Sequence, residues 1–205
     1  MPELDTDTFA YSAGALETTS SGKWTKLSGL AALTTTGASG EVHGAASQNS
    51  AEVITNWTGS TTNQYSETVV SSASADGGPT VLSDATSTFY LLDIQSASVG
   101  KIYKCVSGTF TEIASGNPGG FNDGDTFRLD IQSGVLHGYR NGAAAFITIA
   151  DSSIASGKPG IHMFDNSMLI TSWAAGDFGA APVDISWKQP TSQPSNHYRP
   201  EIVMV

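Results

Sequence analysis

The chain has 205 residues, with 9 Lys plus Arg against 19 Asp plus Glu and a formal net charge of -10. This acidic surplus repels a nucleic-acid backbone, and no basic run offsets it, so no nucleic-acid partner is expected. The single cysteine, Cys105, excludes an internal disulfide framework, and no segment approaches the roughly 18 consecutive apolar residues that insertion of a spanning helix requires.

The first eight residues are polar and are expected to pair only at their inner end, with Phe9 and Tyr11 starting an edge strand. Leu30 to Thr36 and Ala51 to Trp57 read as short strands, the second because Val53, Ile54, Thr55 and Trp57 favour extended backbone. Tyr65 to Val70 alternates, with polar residues on both sides, which predicts a partly exposed strand. Ala73 to Pro79 contains Asp76-Gly77-Gly78 and reads as a loop. Phe89 to Ile94 is apolar on both sides apart from Asp93, the pattern of a central strand. Lys101 to Val106 and Phe110 to Ala114 flank Ser107-Gly108 as a hairpin, with Cys105 as a buried, inert thiol.

The most legible stretch is Asp125 to Phe164. Phe127, Leu129 and Ile131 share one side of a strand, and Arg128, Asp130 and Gln132 share the other. Ser133-Gly134 turns the chain back into Val135 to Arg140. Asn141-Gly142 turns it again into Ala143 to Ala150, since both residues tolerate the positive φ of a type I′ turn. After a linker punctuated by Gly157, Pro159 and Gly160, Ile161, Met163 and Phe164 resume a strand, and Leu169 to Trp173 is the last clear one. A meander of this kind needs a second apolar layer, so one antiparallel β-sandwich domain is expected over 1–181. Residues 182–205 are broken by Pro182, Pro190, Pro194 and Pro200 and end on apolar residues; they read as an extended arm that docks through Tyr198, Ile202, Val203, Met204 and Val205.

The strand following Asp123-Gly124-Asp125, the LHGYRNG turn at Leu136 to Gly142, and Ile154 to Gly160 leading into the next strand resemble the concanavalin A-like, laminin-G-like jelly-roll superfamily. Phe89 to Ile94 and the hairpin after it look like the preceding strands, so the likeness spans about residues 80–173. The resemblance implies an all-β jelly roll whose members include carbohydrate-binding modules, lectins, polysaccharide hydrolases and lyases, and adhesion or structural domains. The closely spaced Glu-x-Asp-x-x-Glu strand motif of the glucanase-like branch is missing, which argues against glycosidase activity.

Among candidate sites, Tyr139, Arg140 and Asn141 at a loop edge, with Trp57 and Trp187, offer flat rings and hydrogen-bonding groups for a sugar. Asp123 and Asp125 are a weak candidate for a hard cation. Arg128 and Asp130 read as an exposed ion pair, and His137 and His162 as residues on the solvent side of one sheet. No nucleophile elbow and no second carboxylate on the Asp130 strand are present, so the chain reads as non-catalytic and without a cofactor. The leading expectation is a structural or assembly protein of the virion-associated, capsid-decorating kind, with other protein subunits as partners in a homo-oligomer or shell. The alternative is a carbohydrate-binding lectin-like module with a cell-surface or environmental glycan as partner. MPELDTDTF carries no secretory signal, which under the first expectation places the chain in the virion or the host cytoplasm during assembly.

Overall fold

The computed structural model describes residues 3–37, 40–71, 76–95 and 98–178. The N-terminal third holds β1 (Glu3–Asp7), β2 (Gly14–Ala15), β3 (Trp24–Lys26), β4 (Thr34–Thr35), β5 (Val42–His43) and β6 (Ser50–Ile54), with one helical turn, α1 (Leu16–Thr19), after β2. The longer strands follow as β7 (Gln64–Val70), β8 (Gly77–Ser83), β9 (Phe89–Gln95), β10 (Val99–Val106) and β11 (Thr109–Gly116). The chain then forms β12 (Thr126–Gln132), β13 (Val135–Arg140), β14 (Ile147–Ala150), β15 (Lys158–Met163) and β16 (Ile170–Asp177).

Among the described residues these strands make two antiparallel sheets, as a jelly-roll β-sandwich requires. One runs β14-β13-β12-β7-β16-β5-β4-β2, with β1 also on β16; the other runs β11-β10-β9-β8-β15-β6-β3. The period-two pattern directs Phe127, Leu129 and Ile131 of β12 and Tyr90, Leu92 and Ile94 of β9 into the core between the sheets. Burying each such side chain contributes roughly 1.5–3 kcal/mol. Trp24 and Trp173 bridge the layers edge to face, 4.8 Å between ring centroids, and Trp173 Nε1–H donates to Ser66 Oγ at 2.8 Å. A second apolar cluster, with Leu27, Val53, Phe89, Leu91 and Cys105, lies on the outer face of the seven-stranded sheet. It explains why β9 is apolar on both sides.

Several expectations need correction. Glu3–Asp7 pairs with β16 along its whole length, whereas Phe9 and Tyr11 form no strand. Asp7 is the reason: it is buried and accepts the Phe9 N–H, the Tyr11 hydroxyl and the Trp24 indole N–H at 2.7–2.8 Å, which turns the chain with Phe9 at φ 51. Tyr65 to Val70 is mostly buried, because β7 lies between β12 and β16 and its Gln64, Ser66 and Thr68 face the other sheet. Ala174 to Asp177 continues β16, since small residues there let Glu3 to Thr6 and Tyr65 to Glu67 pair on its two edges.

The expected loop at Gly77–Pro79 belongs to a fully buried central strand. A Cβ on Gly77 would stand 2.5 Å from the His162 carbonyl oxygen, and one on Gly78 would stand 2.3 Å from that of Leu92. Glycine is therefore what lets β8 fit between its neighbours. Pairing with β9 is confined to Thr80 and Val81, so Pro79 withholds no donor on that edge. The turns at Ser107-Gly108, Ser133-Gly134 and Asn141-Gly142 all place both residues at positive φ. After Asn141-Gly142, however, the ladder resumes only at Ile147. The arm expected over 182–205, with Trp187, Tyr198 and Ile202 to Val205, lies outside the described residues.

Candidate functional site

Outward-facing residues of β7, β12 and β13 build one cleft on the nine-stranded sheet. Register sets their neighbours: Asp130 stands opposite His137 and Tyr65, and Arg128 opposite Tyr139 and Glu67. Asp130 is fully buried; it accepts a bond from His137 Nδ1 at 2.8 Å and one from the Arg128 guanidinium at 3.1 Å. The guanidinium lies over the Tyr65 ring at 4.3 Å, with Tyr139 at 5.4 Å and Phe178 at 5.6 Å. Carboxylate pairing and stacking together fix a planar group that would otherwise sample many rotamers. Burial and the nearby Asp130 carboxylate push the Tyr139 phenol above its ordinary range, so it stays a hydroxyl.

The cleft has a volume of about 260 Å³, and Glu67, Arg128, Asp130, Gln132, Tyr139 and Asn141 are in its wall. It offers a ring, a guanidinium, an amide and a carboxylate within one concavity. That set suits a polyhydroxylated ligand, whose hydroxyls donate and accept while its apolar ring face covers an aromatic.

The expected ion pair of Arg128 and Asp130 is present, but it is not exposed: the Asp130 side chain has no solvent-accessible surface. His137 and His162 lie on different sheets. His162 is fully buried in the outer cluster, its ring 4.5–5.5 Å from those of Phe89, Phe110 and Phe164.

The loop-edge group is divided by β13. Tyr139 and Asn141 line the cleft, whereas Arg140 leaves the strand on the other side and binds Asp125 through Nε at 3.0 Å and Nη2 at 2.6 Å. Arg140 also donates to the Pro118 carbonyl at 2.9 Å. Asn141 accepts the Thr126 N–H and donates to Asp125 Oδ1, fastening the turn. The reading of Asp123 and Asp125 as a cation site therefore gives way. Hydrogen bonds from Asn141 and the Asn122 N–H, with the charge of Arg140, hold the Asp125 carboxyl below the usual range, while Asp123 points to solvent. No group of three or more His, Cys, Asp or Glu side chains among the described residues could hold a metal. Trp57 packs on the core and donates its indole N–H to the Ser60 carbonyl at 3.0 Å, away from the cleft. Trp187 lies outside the described residues.

Tyr65, Glu67, Arg128, Asp130, His137 and Gln132 were not singled out as a sugar site. Part of the set is readable from register: a two-residue turn at Ser133-Gly134 places Asp130 opposite His137 and Arg128 opposite Tyr139. Tyr65 and Glu67 arrive from a strand some sixty residues earlier, and no local signal announces them.

No family model matches the chain, and no curated protein matches it. Its fold is similar to that of the carbohydrate binding module CBM66 from Bacillus subtilis, with a TM-score of 0.55 at 18% identity, covering 73% of this chain and 94% of that one. It is also similar to a protein of unknown function with a galectin-like fold from Bacillus subtilis, with a TM-score of 0.58 at 12% identity, covering 86% and 96%. A third is the VIP36 exoplasmic/lumenal domain with Ca2+ and Man3GlcNAc bound, with a TM-score of 0.55 at 10% identity, covering 86% and 89%. At these identities the likeness is one of fold: a two-sheet β-sandwich of jelly-roll type.

Proposed function

We propose that the protein is a non-catalytic carbohydrate-binding module that takes a glycan in the cleft formed by β7, β12 and β13. The observation that carries this reading is the fixed Arg128 guanidinium in the cleft wall, held by Asp130 and stacked among Tyr65, Tyr139 and Phe178. A pre-positioned cation beside aromatic faces binds hydroxyls directionally without first losing side-chain entropy. The carbohydrate-binding module and the glycan-bound VIP36 domain, similar in fold, support the same reading. Asp130 has both oxygens engaged by Arg128 and His137, which suits a structural role better than proton transfer. The assembly reading draws on the stand-alone sandwich, the missing catalytic constellations and the apolar C-terminal stretch. The glycan reading shares the first two, and the third lies outside the described residues.

Glycan-array screening followed by calorimetry on wild type, Arg128→Lys and Tyr139→Ala tests the proposal. Both variants are expected to retain a cooperative melt and to lose about tenfold or more in affinity, since a lysine cannot reproduce the stacked, forked guanidinium. Unchanged affinity in both folded variants, or a wild type that binds no glycan, would sink it.

A further inference from the structure

We infer that the ligand is a linear, uncharged oligosaccharide laid across the strands, and that a second subsite on β16 and β1 takes its far end. This rests on the carbohydrate reading above and deepens it. The basis is a register row. Tyr139 stands opposite Arg128, Arg128 opposite Glu67, Glu67 opposite Ala174, and Ala174 opposite Thr6. Five adjacent strands thus place five outward side chains in one line. Four inter-strand spacings make that line about 19 Å long, more than one sugar ring can occupy.

The line is concave at both ends. Beyond Glu67 a second cleft of about 290 Å³ opens, with Thr6, Thr8, Glu67, Val69, Ser172 and Ala174 in its wall. Glu67 borders both clefts, so one ligand can pass from the first to the second. The two halves differ in character. Near Arg128 the surface has aromatic rings and charge. Beyond Glu67 the outward side chains of Thr6, Thr8, Val69, Ser172 and Ala174 are short, three of them hydroxyl-bearing, with the buried Asp7 and Trp173 beneath. Short residues keep the floor low, and Thr6, Thr8 and Ser172 offer donors and acceptors without fixed charge. A chain gripped at its Arg128 end can therefore lie down along the rest.

Charge restricts the class of chain. The carboxylates of Glu67 and Asp130 face the single Arg128 in the first cleft, and the whole chain carries a formal charge of -10. A uronate or sulfated polymer would bring further negative charge alongside Glu67 at the midpoint of the line, where an uncharged chain meets no such repulsion.

The test measures affinity against chain length, by calorimetry with manno-, gluco- and fructo-oligosaccharides of one to six units and an oligo-uronate series. Wild type, Ala174→Trp and Thr6→Arg are compared, with melting temperature as the folding control for each. For at least one neutral series, wild-type affinity should rise about tenfold or more from one unit to four and then level off. In both variants the longer members should fall back towards the monosaccharide value. Equal affinity for one and six units overturns the inference, as does a rise that persists in both folded variants or a preference for the uronate series. Absence of binding to every series would overturn the carbohydrate reading itself, an outcome distinct from the others.

Discussion

Tyr139 and Arg140, consecutive in the chain, leave β13 on opposite sides: the phenol ring stands 5.4 Å from the Arg128 guanidinium, while the Arg140 guanidinium meets Asp125 at 2.6 Å. Their substitutions should therefore separate. Tyr139→Ala is expected to remove glycan binding with little change in melting temperature. Arg140→Ala should cost about 1–3 kcal/mol, because it leaves a largely buried carboxylate without its cation, and should leave binding mostly intact. The Asp125 carboxyl is held below its ordinary range, so this stabilisation is present at neutral pH and lost as the solution is acidified through the folded-state value. Melting curves from pH 3 to 7 for the two proteins should converge towards the acid end. Curves that stay parallel would show that the pair contributes nothing titratable.

Buried ionisable groups set opposite pH slopes on stability. Burial, reinforced by the Asp76 carboxylate, pushes Asp93 up to about 7, and burial pushes Glu52 up to about 8. Both lie above the ordinary carboxylate range of about 4, so the folded state holds extra protons, and stability is lost as pH rises through these values. His162 is held down to about 3 by burial alone, so its neutral form is retained at moderate pH, and stability is lost as pH falls towards that value. The Asp93 side chain is fully buried. Asp93→Asn should accordingly flatten the fall in melting temperature between about pH 4 and pH 7. A variant that declines as steeply as wild type would remove Asp93 as the source.

Asp7 organises the N-terminal corner by accepting the Phe9, Tyr11 and Trp24 donors. Asp7→Ala should lower stability by about 2–4 kcal/mol, since each orphaned buried donor carries a desolvation penalty. Tyr11→Phe removes one donor together with its need for an acceptor and should cost about 1 kcal/mol or less. Urea titration gives both values, and an Asp7→Ala loss below that of Tyr11→Phe would contradict this account.

Chelation should leave the melt and the glycan affinity unchanged, because Arg140 already neutralises Asp125. Calorimetry with and without a chelator checks this. In parallel, prolonged incubation with bound glycan should release no reducing ends; release that tracks the purified protein and disappears in Glu67→Gln would make it an enzyme.

Period-two alternation and Ser-Gly or Asn-Gly turns were enough to determine the sandwich, the hairpins and the inward placement of Phe127, Leu129 and Ile131, because a strand's two faces are written in its own sequence. The same local rules placed Cys105 in a buried position, where its thiol is pushed up to about 11. They failed where burial depends on strand order. Gly77 to Pro79 reads as a turn, and only the narrow gap between β15 and β9 makes it a central strand. Arg128 and Asp130 read as a surface pair until β7 lays Tyr65 beside them. The site likewise depends on pairing between distant segments: β7, β12 and β16 come together from three separate parts of the chain. In the row from Tyr139 to Thr6 the Ser133-Gly134 turn sets Arg128 opposite Tyr139. Tertiary packing, by contrast, sets the register that brings Glu67, Ala174 and Thr6 into line, because their strands are far apart in the chain.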